Sequence, residues 1–317
     1  MTRGSSAIQP LSIEELEKVS KVLIPALCGV GDFLIFLPTL LKLKERLPKA
    51  RFDLLVFPNG AEELIENTGI VDSVKMFHGG NHHGKWNKSI SMIHDIVSLR
   101  KQRYDLAVWA FAYTPFRKRM LSLAIGAKHN VMHKGSSTLS SLSLNNRDIL
   151  VSYAPGEHVQ ERNTKMLEPL GIAPPKHGFK YIPNQDEIEW AKGYLKKKLG
   201  GHGSFIAAYH VGGNLAFNPS RKWPDKHFAK LIKMITQEYG AKTLLLGNND
   251  ERTSLEELRA ESDATAEIAA GLHLRQVAAL VSLMDVFIGN DSALAHLAGA
   301  IGIPTMMIQG PTSPQHA

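Results

Sequence analysis

From end to end the chain alternates short apolar, β-favouring runs with stretches that repeat at helical spacing. A strand, a crossover helix and a second strand return the chain parallel to its start. Repeated alternation therefore predicts parallel sheets covered by helices on both faces. In the first half, strands are read at KVLIPAL, FDLLVF, SVKMF, DLAVWAF and NVMHK, with helices such as SISMIHDIVSLRKQR and PFRKRMLSLAIG between them. After the helical EHVQERNTKMLEPLG comes IAPPKHGFKYIPNQDE, dense in proline and polar residues and read as a linker. The alternation then restarts with helix EIEWAKGYLKKKLG, strand SFIAAYH, helix KHFAKLIKMITQEYG, strand KTLLLG and helix SLEELRAES. Strand AEIAAG, helix LRQVAALVSLM, strand DVFIGN, helix SALAHLAGAIG and strand TMMIQG complete it.

The expectation is an α/β protein of two doubly wound domains facing across a cleft. An N-terminal extension occupies residues 1–20, with a short capped helix at SIEELEK; the first domain spans 21–171, the linker 172–186 and the second domain 187–317. A length of 317 residues suits two domains, and 44% hydrophobic with 21% charged residues suits a soluble chain with real cores. The longest apolar runs, such as FLIFLPTLL, are too short to span a bilayer, and the N-terminus lacks the apolar centre of a signal peptide. The single cysteine, Cys28, excludes an internal disulfide and fits a reducing, cytoplasmic compartment. A formal net charge of +7 suits acidic partners such as phosphates, anionic lipid headgroups or nucleic acid.

In doubly wound sheets, ligands sit beyond the carboxyl ends of the strands. That rule selects the loops at 28–32, 210–223, 247–251 and 289–292. CGVGDF in the first fails the dinucleotide fingerprint, because Phe33 stands where a third glycine belongs. Asp32 has two readings: an N-cap of the following helix, or a general base at a strand end. Pro38 inside the helical pattern marks a kink or a late helix start. Cys28 reads as a small buried apolar residue. In the last loop, Asn290, Asp291 and Ser292 mark a helix start, where free N–H groups and the positive helix end suit an anion. Ser292 can donate its hydroxyl, Ala293 and Ala295 let a ligand approach the backbone, and His296 lies one turn in. The alternative is a merely capped helix with a satisfied histidine. QGPTSP (309–314) supplies a second turn of N–H groups and hydroxyls. In the 210–223 loop, Arg221 and Lys222 suit a pyrophosphate, and in GNNDE, Asp250 and Glu251 suit the hydroxyls of a ribose or sugar. The basic FRKRM, with Arg117, Lys118 and Arg119, is a candidate contact for an anionic acceptor. No cysteine, histidine or carboxylate spacing supports a metal site; HGGNHHG (78–84) reads as a polar loop and the serine-rich 135–146 as a surface loop.

The order of these motifs resembles glycosyltransferase family 9, the ADP-heptose:lipopolysaccharide heptosyltransferases. GVGDFLIFLPTLLKLKERLPKARFDLLVFP resembles its opening, HVGGN…SRKWPDKHFAKLI its nucleotide-loop segment, and AALVSLMDVFIGNDSALAHLAGAIGIPTMMIQGPTSP its most specific signature; together they span roughly residues 20–314. The resemblance implies the GT-B fold of two Rossmann-like domains and metal-independent, inverting transfer with no cofactor. It implies a sugar, heptose by this likeness, passed from a nucleotide-sugar such as ADP-heptose to a lipopolysaccharide core or related anionic glycolipid. By position, Asp32 resembles the catalytic base, with Gly29 and Gly31 leaving room for the acceptor. Asp291, Ser292, Ala293 and His296 resemble the nucleotide set, and Arg221 or Lys222 the residue that neutralises the diphosphate. Ala293 departs from the family's usual glycine. The chain stops three residues after GPTSP where members usually continue, so a shortened C-terminal end is expected. The implied setting is the cytoplasm, with peripheral association at the inner membrane and no nucleic acid partner. Two other classes remain: a non-catalytic sugar-nucleotide binder and an NAD-dependent oxidoreductase.

Overall fold

The computed structural model describes residues 10–58, 60–66, 68–80, 90–110, 116–135, 148–176, 178–201, 204–213 and 219–311. The chain divides into two compact units, Met1–Gly178 and Phe179–Ala317.

The first unit runs α1 (Ile13–Glu17), β1 (Lys21–Ala26), α2 (Val30–Arg46), β2 (Arg51–Val56), α3 (Ala61–Ile65), β3 (Ser73–Met76) and α4 (Ile90–Lys101). It continues with β4 (Leu106–Val108), α5 (Phe116–Ile125), β5 (His129–His133), β6 (Asp148–Val151) and α6 (Val159–Lys165). Its strands pair in parallel in the order β3-β2-β1-β4-β5-β6. β1 and β2 are mainly apolar because helices cover both sheet faces, and Val22, Leu23, Ile24, Phe52, Leu54 and Leu55 are fully buried. On one face, Met92, Ile96 and Leu99 of α4 and Leu121 and Ile125 of α5 join a single core with Leu23, Leu55 and Trp109. The strand order reverses between β1 and β4, so the loop after β1 opens at the switch point.

The second unit runs α7 (Gln185–Leu199), β7 (Ile206–His210), α8 (Asp225–Tyr239), β8 (Lys242–Gly247), α9 (Arg252–Ser262), β9 (Ala266–Ala270), α10 (Leu274–Val281), β10 (Val286–Asn290), α11 (Ala293–Ile301) and β11 (Thr305–Ile308). The parallel order β11-β10-β7-β8-β9 reverses between β7 and β10. The loops after these two strands therefore meet.

Three local readings change. α2 begins at Val30 and runs through Pro38, so the proline marks no late start. Asp32 is not the N-cap; Gly29 is, and Asp32 stands three residues in. β6, unread in the sequence, extends the first sheet beside β5. Of the serine-rich 135–146 loop, residues 136–146 lie outside the described residues, as do 81–84 of HGGNHHG.

Candidate functional site

At the first switch point, the Asp32 carboxylate accepts the Gly29 N–H at 3.3 Å, closing the first turn of α2. A Cβ on Gly29 would stand 3.3 Å from the same oxygen, so the glycine keeps a side chain from crowding the carboxylate. Gly31 is buried in the first helical turn. Asp32 is half-buried at this helix start. Burial pushes the Cys28 thiol well above its ordinary value, and the Asp32 charge adds to that; Cys28 is accordingly no nucleophile. Lys118 of α5 is buried facing this pair. Burial lowers its proton affinity, while Cys28 and Asp32 oppose the fall.

The other two cations of FRKRM part company. Arg117 is exposed. Arg119 is fully buried, with Nη2 3.5 Å from Asp148 of β6 and Nη1 2.9 Å from the Met132 sulfur. It is therefore no acceptor contact: it fastens α5 to β5 and β6.

At the second switch point, Asn290 ends β10 and ties the 210–223 loop at both its ends. Its side-chain amide donates to the Val211 carbonyl at 2.8 Å, and its oxygen accepts the Trp223 N–H at 3.1 Å. Ser292 is the N-cap of α11 by backbone geometry, with its hydroxyl turned away from the helix to His210 Nδ1 at 2.9 Å. The N–H groups of Ala293 and Leu294 at this end have no preceding helical carbonyl to bond. Asp291 is buried between the Arg221 guanidinium, with Nη1 at 3.6 Å, and the His296 imidazole, with Nε2 at 3.8 Å. A carboxylate repels phosphate, so here Asp291 orients Arg221 and His296. Arg221 Nε is buried and has no partner among the described residues. Lys222 instead bonds Asp225 at 2.6 Å.

Glu251 closes the site from the β8 side. It accepts the Asn248 N–H at 2.8 Å and lies 3.9 Å from His210 Nε2. Burial raises its proton affinity, but bonds from His210, Asn248 and Gly213 outweigh that and hold it below the ordinary carboxylate value. A Cβ on Gly212 would fall 1.8 Å from Glu251 Oε1, so only glycine admits the carboxylate there. Gly213 has φ +148°, which also requires glycine. Asp250 is exposed. His210 thus joins Ser292 to Glu251 across the sheet, a role the sequence reading missed. The signal for it was the strand-final position of His210 itself. Among the described residues no group of three or more histidine, cysteine or carboxylate side chains is placed to hold a metal ion.

The pattern of glycosyltransferase family 9 (heptosyltransferase) matches residues 95–317. This chain belongs to glycosyltransferase family 9. Lipopolysaccharide heptosyltransferase 3 of Escherichia coli (strain K12) is 26% identical over 301 residues, covering 89% of this chain and 80% of that protein. Among solved structures, a family 9 glycosyltransferase from Veillonella parvula superposes with a TM-score of 0.77 at 15% identity, covering 97% of this chain and 84% of the other. E. coli heptosyltransferase WaaC with ADP-2-deoxy-2-fluoro heptose gives 0.69 at 21% identity, covering 93% and 90%. The fold is GT-B, and the chain is a glycosyltransferase. Family membership sets aside the oxidoreductase and the non-catalytic binder, and Phe33, fully buried in α2, agrees with the first of these exclusions.

Proposed function

We propose that this family 9 transferase moves a heptose from ADP-heptose to a hydroxyl of a lipopolysaccharide core, or a related anionic glycolipid, at the cytoplasmic face of the inner membrane. The observation that carries the donor half is the meeting of Arg221, Ser292, His296 and Glu251 at one switch point. The relatives named above supply the donor class. ADP places its diphosphate on the open N–H groups of α11, with Arg221 Nε as an unused donor beside it. Glu251, ionised, accepts ribose or sugar hydroxyls, with exposed Asp250 as a second acceptor. Asp291 holds Arg221 and His296 in place.

Asp32 takes the proton of the attacking acceptor hydroxyl as its oxygen bonds the anomeric carbon. The bond from that carbon to the diphosphate oxygen breaks in the same displacement, so the configuration inverts. ADP leaves with the electron pair, and its growing charge falls on Arg221, His296 and the helix end. Those donors suffice without a metal or other cofactor. Lys118 and Arg117 lie on the acceptor side, where an anionic glycolipid would be met.

ADP release from ADP-heptose, with a truncated lipopolysaccharide core as acceptor, tests the reading. Asp32→Asn should lower transfer by about 10²–10⁴-fold, the usual loss of a general base, and leave ADP affinity unchanged. Wild-type turnover in that variant would remove Asp32 from the chemistry. Absence of ADP release by the wild type would sink the heptose assignment.

A further inference from the structure

The outward faces of α4 and α5 carry an apolar surface that neither core explains. Ile90, Ile93 and Val97 of α4 are 87%, 60% and 45% exposed, and Phe116, Met120 and Leu123 of α5 are 41%, 47% and 43% exposed. These six are half of the twelve large apolar side chains exposed among the described residues, so the surface is concentrated, not scattered. The spacing is helical: 90, 93, 97 on one helix and 116, 120, 123 on the other each form one stripe. Both helices cover the same face of the first sheet through their opposite sides. Arg100 of α4 donates to the Ala124 carbonyl at 2.9 Å and binds the two helix ends together, so the stripes share one outer surface. Layer helices normally turn charge outward, as α7 does with Lys192, Lys196 and Lys197.

The charge on this face has one sign. Arg100, Lys101 and Arg117 are exposed. The only carboxylate on either helix, Asp95, has a side chain 13% exposed and is bonded by His78. We infer that the α4–α5 face docks on an anionic lipid surface, its apolar stripes entering the headgroup boundary and its cations meeting lipid phosphates. A second copy of this chain fits less well: a two-fold contact would set these cations against their own images with no acid to meet them. The transferase reading only brings the protein near a membrane; the docking face rests on these two helices alone.

Co-sedimentation of the full chain with vesicles, without donor or acceptor, reads it directly. The wild type should bind vesicles of phosphatidylcholine mixed with phosphatidylglycerol and bind phosphatidylcholine alone far less. The triple variant Ile93→Ser, Val97→Ser, Met120→Ser should lower binding by about tenfold or more. Lys101→Glu, which alters charge only, should lower it by at least about fivefold, and added salt should do the same. All substituted positions are exposed, so the thermal midpoint should hold, and turnover with a lipid-free core acceptor should stay at the wild-type rate. The proposal is overturned if the wild type ignores anionic vesicles, if the triple variant binds as well as the wild type, or if sedimentation velocity shows a dimer that these substitutions dissociate. Loss of turnover with intact vesicle binding would count against the heptosyltransferase reading and leave the docking face standing.

Discussion

At the scale of single residues, the two adjacent cations of the 210–223 loop separate. Arg221 stands beside Asp291 with a buried Nε that has no partner among the described residues, while Lys222 is bonded to Asp225. A charge-assisted hydrogen bond contributes about 1.5–3 kcal/mol. Arg221→Ala should therefore weaken ADP by about 10- to 100-fold and leave adenosine nearly unaffected. Lys222→Ala should change ADP affinity by less than about threefold, since its partner is within the protein. Titration calorimetry of both variants decides, and a larger loss at Lys222 would show that the loop rearranges on binding. EDTA should alter none of these values. The sequence made Asp32, Asp291 and Ser292 visible because each sits in a short turn beside a recognisable strand and helix. It could not separate Arg221 from Lys222, because what divides them is Asp291, far along the chain. His210 was hidden for the same reason: its partner Ser292 lies 82 residues away. Asp32 was half legible. Its tie to the helix start was foreseen, but the bond runs backwards to Gly29 N–H from inside the helix.

At the scale of elements, most strands legible in sequence, such as β1, β7 and β8, are buried over nearly their whole length, where apolar residues follow one another. β6 is four residues long, partly exposed, and a strand only because β5 pairs with it. Of the two readings of Pro38, the late helix start falls, since α2 begins at Val30. The missing N–H argues for a helix start there, but the proline is buried inside the helix, eight residues past its start. What holds β6 to α5 is the Arg119–Asp148 pair, with both side chains almost fully buried. Burial pulls the guanidinium's proton affinity down, and Asp148 opposes that. Removing one member leaves a charge stranded inside. Asp148→Ala should cost about 3–5 kcal/mol in urea unfolding, whereas the apolar double change Arg119→Met, Asp148→Leu should cost far less. If the double change is as costly as the sum of the singles, the pair is a net stabiliser and the stranded-charge account fails.

At the scale of the whole molecule, the division into two units makes a statement about unfolding that acid and ligand can test separately. Each unit has its own parallel sheet, and the apolar core of the first shares no residue with that of the second. His133 lies fully buried at the end of β5, edge-on to the Tyr153 ring at 5.4 Å. Burial lowers its affinity for a proton, against a weaker pull from the Val151 carbonyl, and brings it down to about 4. Above the ordinary histidine value near 6.5, folded and unfolded chains both carry it neutral and its contribution is complete. As pH falls from about 6.5 to about 4, the unfolded chain takes up a proton that the folded unit refuses. Stability drops through that window by about 3 kcal/mol and the loss then levels off, because below it both states are charged. Asp105, held at about 2, loses its contribution only at still lower pH, between the ordinary aspartate value and its own. ADP, by contrast, is proposed to bind at the second switch point. At a hundred times its dissociation constant it should stabilise that unit by about 2.7 kcal/mol. Calorimetry should then show two transitions, one lowered by mild acid and the other raised by ADP. In His133→Phe, the acid-sensitive transition should lose most of its slope between pH 6.5 and 4 while the ADP-dependent shift is untouched. A single transition that answers to both would mean that the units unfold as one cooperative block, and that a proton refused at β5 is felt at the nucleotide loop.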